Sequence, residues 1–123
     1  MTTASATKRS NPEYLNGVPE LLVLQVLLRS PMHGYEVVQS IKAASCEVLE
    51  FGEGSIYPVL HKLEADECLS SKKERVAGRD RYVYRLTAKG AKRLTESTAA
   101  WKRIAKAIAH ALEGEGDALA ALA

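Results

Sequence analysis

Ten lysines and arginines fall between Gly54 and Arg93 against five acids, whereas the whole chain, with 17 basic and 15 acidic residues, carries only +2. Lys62, Lys72, Lys73, Arg75, Arg79, Arg81, Arg85, Lys89, Lys92 and Arg93 make up the surplus; Glu64, Asp66, Glu67, Glu74 and Asp80 oppose it. Ammonium and guanidinium groups gathered in this way do one kind of chemistry well, which is to neutralise phosphate. A solvated basic surface has the same composition, so charge alone decides nothing and needs a geometry beside it. Other chemistries are poorly provided for. His33, His61 and His110 are scattered, and Cys46 and Cys68 lie too far apart for a metal knuckle. There is no Gly-rich phosphate loop and no nucleophile–base constellation, so no catalytic residue, no metal site and no cofactor is expected.

The geometry comes from two blocks. His33-Gly34-Tyr35-Glu36 opens one short amphipathic segment, and Gly54-Ser55-Ile56-Tyr57-Pro58 opens another. Val37, Val38 and Ile41 give the first a buried stripe, predicting a helix from about His33 to Ala44 with His33 as a cap or turn residue. Ile56, Val59, Leu60 and Leu63 do the same for the second, which starts near Gly54-Ser55 with the Ser55 hydroxyl able to cap free amides. Pro58 then falls in its first turn or just after, where a missing N–H costs little. Ahead of both, Pro19-Glu20 starts an apolar helix that Ser30-Pro31 ends. Three short helices with tight connections make a helix-turn-helix. After them, Leu69–Arg75 and Arg81–Leu86 read as strands joined at Ala77-Gly78-Arg79-Asp80, a basic hairpin that must lean on the helices through Tyr82, Tyr84 and Leu86. Helix, helix and charged ribbon in that order suit a protein that sets one helix in a DNA groove and flanks it with a wing.

From Thr87, a plausible N-cap, the pattern is helical to about Glu113. Leu94, Trp101 and Ile108 are seven apart, with Ile104 and Ala111 between them, which is a coiled-coil-like seam. Two heptads are too few to stand alone, so the expectation is a homodimer in which this helix packs on its copy and on helix one. The expected division is a basic arm at 1–12, a DNA-binding domain at 13–87, a dimerisation helix at 88–113 and a frayed tail at 114–123. The start is polar and lacks an apolar signal region, and the longest apolar run, Leu21–Leu28, falls far short of the ~20 residues of a membrane span. A cytoplasmic location with reduced thiols and no membrane partner is expected.

Taken together, Leu21-Leu22-Val23-Leu24, Pro31 through Glu36, Gly54 through Leu60, Leu63-Glu64, Gly78-Arg79 and Tyr84-Arg85-Leu86-Thr87 resemble the PadR family of bacterial transcriptional regulators, in its short-tailed subfamily. The resemblance covers roughly residues 19 to 95. It implies an α+β winged helix-turn-helix, mainly α with a small β-hairpin, dimerised through the C-terminal helix. It also implies a repressor of a palindromic double-stranded operator, loosened by small aromatic or drug-like effectors. Two departures stand out: Cys68 where the family usually has glycine, and Asp80 where proline is frequent at the wing tip.

Residue by residue, the DNA-binding set is Tyr35, Ser55, Tyr57, His61, Lys62, Lys72, Lys73, Arg75, Arg79 and Arg81. A helix N-terminus favours phosphate, a hydroxyl there can donate to it, and an arginine beyond Gly78 can enter a narrow minor groove. Tyr57 reads equally well as a residue closing the core against helix two. Leu94, Trp101, Ile104, Ile108 and Ala111 form the expected dimer interface. Trp101 is foremost a seam residue; alternatively, with Tyr14, Ile104 and Ile108, it walls an effector site. A winged-helix interaction module without DNA binding is the rival reading, but it would have a depleted wing.

Overall fold

The computed structural model describes residues 17–113 and 121–122. Tyr14, the basic arm and nearly all of the tail lie outside the described residues. Helix α1 (Val18–Arg29) starts after Gly17, which takes a left-handed φ of 90°, and carries Pro19 in its first turn. Its apolar run is buried on several sides, with Val23, Leu24, Val26 and Leu27 all inaccessible, so α1 is the hub on which α2, α3 and α4 pack. Helix α2 (Gly34–Ala44) buries Val37 and Ile41 and ends in a Schellman motif: Cys46 N–H donates to Ala43 O and Glu47 N–H to Lys42 O. The following loop is tied by the Ser45 hydroxyl, which donates to Leu49 O and accepts from Leu49 N–H. Phe51, the chain's only phenylalanine, then plugs the core immediately before α3 and fixes where that helix begins.

Helix α3 (Glu53–Ala65) buries Ile56, Leu60 and Leu63 almost completely. It begins earlier than expected, with Gly52 as N-cap and no side-chain cap, so Ser55 sits exposed in the first turn and caps nothing. Pro58 is consequently inside the helix. Its missing N–H would have served Gly54 O, and both residues lie on the exposed side, where water can satisfy that carbonyl. The buried face outweighs the lost bond.

The hairpin of β2 (Leu69–Val76) and β3 (Arg79–Leu86) closes on a two-residue turn, Ala77-Gly78, with φ of 52° and 80°, the conformation that matches strand twist. Both strands extend further than expected, and Arg79 pairs with Val76 rather than sitting in the turn. The hairpin gains a third strand that periodicity could not show. Met32–His33 (β1) pairs with β3, Met32 opposite Tyr84 and His33 opposite Val83, giving the antiparallel order β1-β3-β2. Of the aromatic face, only Tyr84 and Leu86 reach the core; Tyr82, nearer the tip, stays exposed. Val83 is buried on the opposite face, where the Arg85–Glu74 ion pair (2.8 Å) spans its row of the ladder.

Helix α4 (Ala88–Glu113) is bolted to the end of α3. Thr87 caps it: its Oγ1 accepts from Gly90 N–H (3.0 Å) and donates to Glu67 O (2.7 Å), while Thr87 N–H donates to Cys68 O (3.0 Å). Gly90 makes this approach feasible, because a Cβ there would lie 2.1 Å from Cys68 O. Cys68 itself is buried at the end of a second Schellman motif, its N–H on Leu63 O (2.8 Å). The left-handed residue of that motif is Glu67 (φ 66°), so the turn keeps its usual shape without a glycine.

Candidate nucleic-acid interface

Helix α3 buries one side and exposes the other, so Gly54, Ser55, Pro58, His61 and Ala65 form an accessible ridge. Ser55, Pro58 and His61 fall on the side opposite the inward stripe, as their spacing predicts; Gly54 was not expected there, although the same stripe would have placed it. At the helix N-terminus, amides without intrahelical partners point outward, a natural seat for phosphate. The N-terminus of α2 lies alongside. There the Glu36 carboxylate accepts from His33 N–H (3.2 Å), and Tyr35 projects half-exposed into solvent.

Tyr57 links the two helices. Its ring lies so close to Gly34 that a Cβ on Gly34 would be 2.7 Å from its Cε1. Burial, then the Glu53 carboxylate, raises the Tyr57 phenol above its ordinary value against an opposing effect of Arg81. Tyr57 therefore stays protonated and keeps a donor at the mouth of the α2–α3 cleft. The ring closes the helix pair, and Tyr57 also lines the cleft between them.

The wing contributes Lys72, Lys73 and Arg79, all exposed, and the half-buried Arg81. Lys73 rests over the Tyr82 ring, 5.9 Å from its centre. The wing is held against α3 by Ser71, whose hydroxyl donates to Glu64 Oε2 (2.6 Å). Arg75 is less available than its sequence position suggests, because Asp80, directly opposite in the ladder, accepts from it at 3.4 Å.

Lys62, expected at the groove, is engaged by acids of its own chain. Although exposed, its Nζ lies 3.2 Å from Asp66 Oδ2 and 3.8 Å from Glu20 Oε1. Arg93 joins the same acids at 3.1 and 3.7 Å, making a network that ties α1, α3 and α4. Asp66 is one turn further along α3, and α1 presents Glu20 to the same side, so the charge of Lys62 is answered within the chain. The hydrogen bond from Arg93, then that from Lys62, holds the Asp66 carboxyl below its usual range.

On α4, Leu94 is 5% exposed and belongs to the core of its own chain, so it has no surface to offer a partner. Trp101, Ile104 and Ile108 are 43, 51 and 53% exposed, and Leu112, which the heptad reading passed over, continues their stripe at 64%. Ala111 is exposed beside it. Among the described residues no group of three or more His, Cys, Asp or Glu side chains is placed to hold a metal ion, and no helix is long and apolar enough to cross a membrane.

A three-helix core with an exposed N-terminal ridge on its third helix, flanked by a three-stranded basic wing, defines a winged helix-turn-helix protein. The comparisons with known proteins narrow this. Residues 23–96 match the model of the transcriptional regulator PadR-like family. A transcriptional regulator of Mycobacterium tuberculosis is 33% identical over 96 residues, which is 78% of this chain and 87% of that protein. Among solved structures, a Streptococcus mutans protein is 32% identical with a TM-score of 0.71, covering 79% of this chain and 88% of its own. A PadR-like transcriptional regulator from Bacillus cereus is 26% identical with a TM-score of 0.72, covering 85% of this chain and 100% of its own. The chain belongs to the PadR-like family and is a transcriptional regulator.

Proposed function

We propose that the protein acts as a homodimeric repressor that binds a palindromic double-stranded operator and is released by a small-molecule effector. The observation that carries the DNA-binding part is the α3 ridge lying between the α2 N-terminus and a wing whose Lys72, Lys73 and Arg79 make no salt bridge among the described residues. In this reading Ser55 and His61 meet the major groove, and Tyr35, Tyr57 and Arg81 meet the backbone between helix and wing. Lys72 and Lys73 meet phosphates, and Arg79 at the wing tip reaches an adjacent minor groove. The α4 stripe from Trp101 to Leu112 supports the dimer, because four large apolar side chains in a row on one helix face are what a partner helix covers. Two-fold symmetry then calls for inverted half-sites.

The test is fluorescence anisotropy with DNA from upstream of the protein's own gene, against random DNA of equal length at several salt concentrations. Tight binding that prefers the upstream DNA is expected, with affinity falling steeply with salt. Absence of binding to either DNA at low salt would overturn the reading in favour of a protein-interaction module.

A further inference from the structure

His33 joins three parts of the fold. Its backbone pairs with Val83 as the last residue of β1, it is the N-cap of α2, and it lines the cleft shared with α3 and β3. The side chain is 13% exposed, and its two nitrogens have unlike surroundings. Nε2 lies 3.5 Å from Glu36 Oε1. A carboxylate only accepts, so the proton of the neutral ring belongs on Nε2, which leaves a lone pair on Nδ1. Nδ1 is buried, turned to the first turn of α2, and hydrogen-bonded to no described residue. A lone pair suits that place, where backbone amides lack intrahelical partners. An N–H does not.

We propose that His33 is a proton-operated latch: charging its ring frees the first turn of α2 and lowers the affinity for DNA. The charged and titratable groups around the ring are Tyr35 and Glu36 on α2, Tyr57 and His61 on α3, and Arg81, Tyr82 and Tyr84 on β3. The Tyr57 and Tyr84 phenols, raised chiefly by burial, hold no charge at neutral pH or below. Glu36 favours an imidazolium, whereas Arg81 and the positive end of α2 oppose it. The Glu36 side chain is 54% exposed, so water screens the pair and the attraction returns little. A buried N–H without an acceptor costs more. The charged ring therefore turns outward, a short way for a side chain already at the surface, and α2 loses its cap. Tyr35 sits in the uncapped turn and Arg81 lines the same cleft, so His33 is a positioning residue for both. The effect on DNA rests on the DNA-binding reading above. Its sign is opposite to that of His61, whose charging on the exposed ridge adds attraction to phosphate.

The experiment compares the full native chain with His33→Asn, whose side-chain oxygen caps a helix and takes no proton, and with His33→Ala, which caps nothing. Without DNA, backbone amide NMR follows each protein from about pH 8 to about pH 5, the range in which a histidine changes charge. In the native chain the Tyr35, Glu36 and Val83 amides are expected to shift together with the His33 ring signals. In His33→Asn they should stay, and in His33→Ala they should resemble the acid form of the native chain from the start. Amides that stay put in the native chain, or that move equally in His33→Asn, would overturn the latch. Anisotropy with the upstream DNA over the same range reads its consequence. His61 titrates in both proteins, so the ratio of their affinities isolates His33. On acidification the native chain should lose about five- to thirtyfold relative to His33→Asn, the worth of one N-cap. Parallel profiles, or a relative gain by the native chain, would overturn the effect on DNA. Absence of DNA binding by either protein at every pH would count against the DNA-binding reading, and the amide shifts would still decide the latch.

Discussion

Replacing Gly90 by alanine should unfold the joint between α3 and α4, although glycine-to-alanine changes inside helices ordinarily stabilise. Helix propensity favours the alanine by about 1 kcal/mol. Against this, the new Cβ would stand 2.1 Å from the Cys68 carbonyl oxygen and 2.8 Å from Leu86 Cδ1. The leucine can rotate; the carbonyl cannot, since Cys68 is held in the Schellman turn by its own N–H on Leu63. Helix α4 must therefore retreat by roughly 1–1.5 Å to reach ordinary contact. Overpacking of this kind costs about 1–3 kcal/mol. The retreat also stretches the two hydrogen bonds from Thr87 to Cys68 O and Glu67 O, worth about 0.5–1.5 kcal/mol each. The balance is a destabilisation of roughly 2–4 kcal/mol, or a fall in Tm of roughly 10–20 °C for a chain of this size. Urea denaturation at fixed protomer concentration measures it, with Gly54→Ala as the control. That glycine is helical and exposed, and its Cβ would meet nothing within 4 Å, so its substitution should stabilise by up to about 1 kcal/mol. If the two variants move stability in the same direction, the contact argument is wrong.

Arg79→Gln should lower the log–log salt slope of DNA binding by about 0.9, whereas Lys62→Gln should leave it unchanged, because Lys62 is spent on Glu20 and Asp66; equal loss in both variants would return Lys62 to the DNA surface. Asp80→Asn frees Arg75 and should tighten binding while steepening the slope by up to about 0.9, and a weaker complex would show that Asp80 does something other than hold Arg75. Asp66, depressed first by Arg93 and then by Lys62, contributes stability that is present above the unfolded value of about 3.9 and lost as pH falls through its lower folded value. Asp66→Asn should accordingly flatten the acid limb of the pH–stability curve below about pH 4, and superimposable acid limbs would count against the network. Glu67→Gly relieves a left-handed non-glycine residue and should stabilise by about 0.5–1 kcal/mol in thermal denaturation; a loss of stability would mean that the Glu67 side chain matters more than its φ.

Much of this architecture was legible because helices advertise a buried stripe. Val37 and Ile41, and Ile56, Leu60 and Leu63, turned inward as their spacing requires. Thr87 capped α4 as its hydroxyl suggested. What escaped was set by contacts distant in sequence. The strand at Met32–His33 is two residues long, too short to show alternation, and exists because β3 offers it an edge. Phe51 and Gly90 carry no periodic signal; one is a plug and the other a missing side chain, and each acquires meaning only from what it touches. The ion pairs of Lys62 escaped for a related reason. Its position on the helix wheel is outward, but the acid it meets on α1 is 42 residues away in the chain and invisible to local pattern.

Charge follows the same logic and explains how a protein of net charge +2 can present a phosphate-binding face. The acids are not spread evenly. Glu20 and Asp66 are consumed by Lys62 and Arg93, and Glu67 faces Lys89, at the α1–α3–α4 joint. Within the wing, Glu74 is taken by Arg85 on one face of the hairpin and Asp80 by Arg75 on the other, while Glu64 is occupied by the Ser71 hydroxyl. The ion pairs hold the parts of the fold together, and each removes one positive and one negative charge from the long-range field, whereas the neutral Ser71 hydroxyl leaves the charge of Glu64 in place. Among the described residues, Lys72, Lys73, Arg79 and Arg81 are left without an ion pair on the wing, beside the N-terminus of α3. At physiological ionic strength charges more than about 8 Å apart are largely screened, so a phosphate at the wing senses this local surplus far more than the whole-chain sum. A transcriptional regulator built this way keeps a near-neutral body, which limits non-specific attachment to nucleic acid, and concentrates its electrostatic attraction beside the exposed ridge of α3.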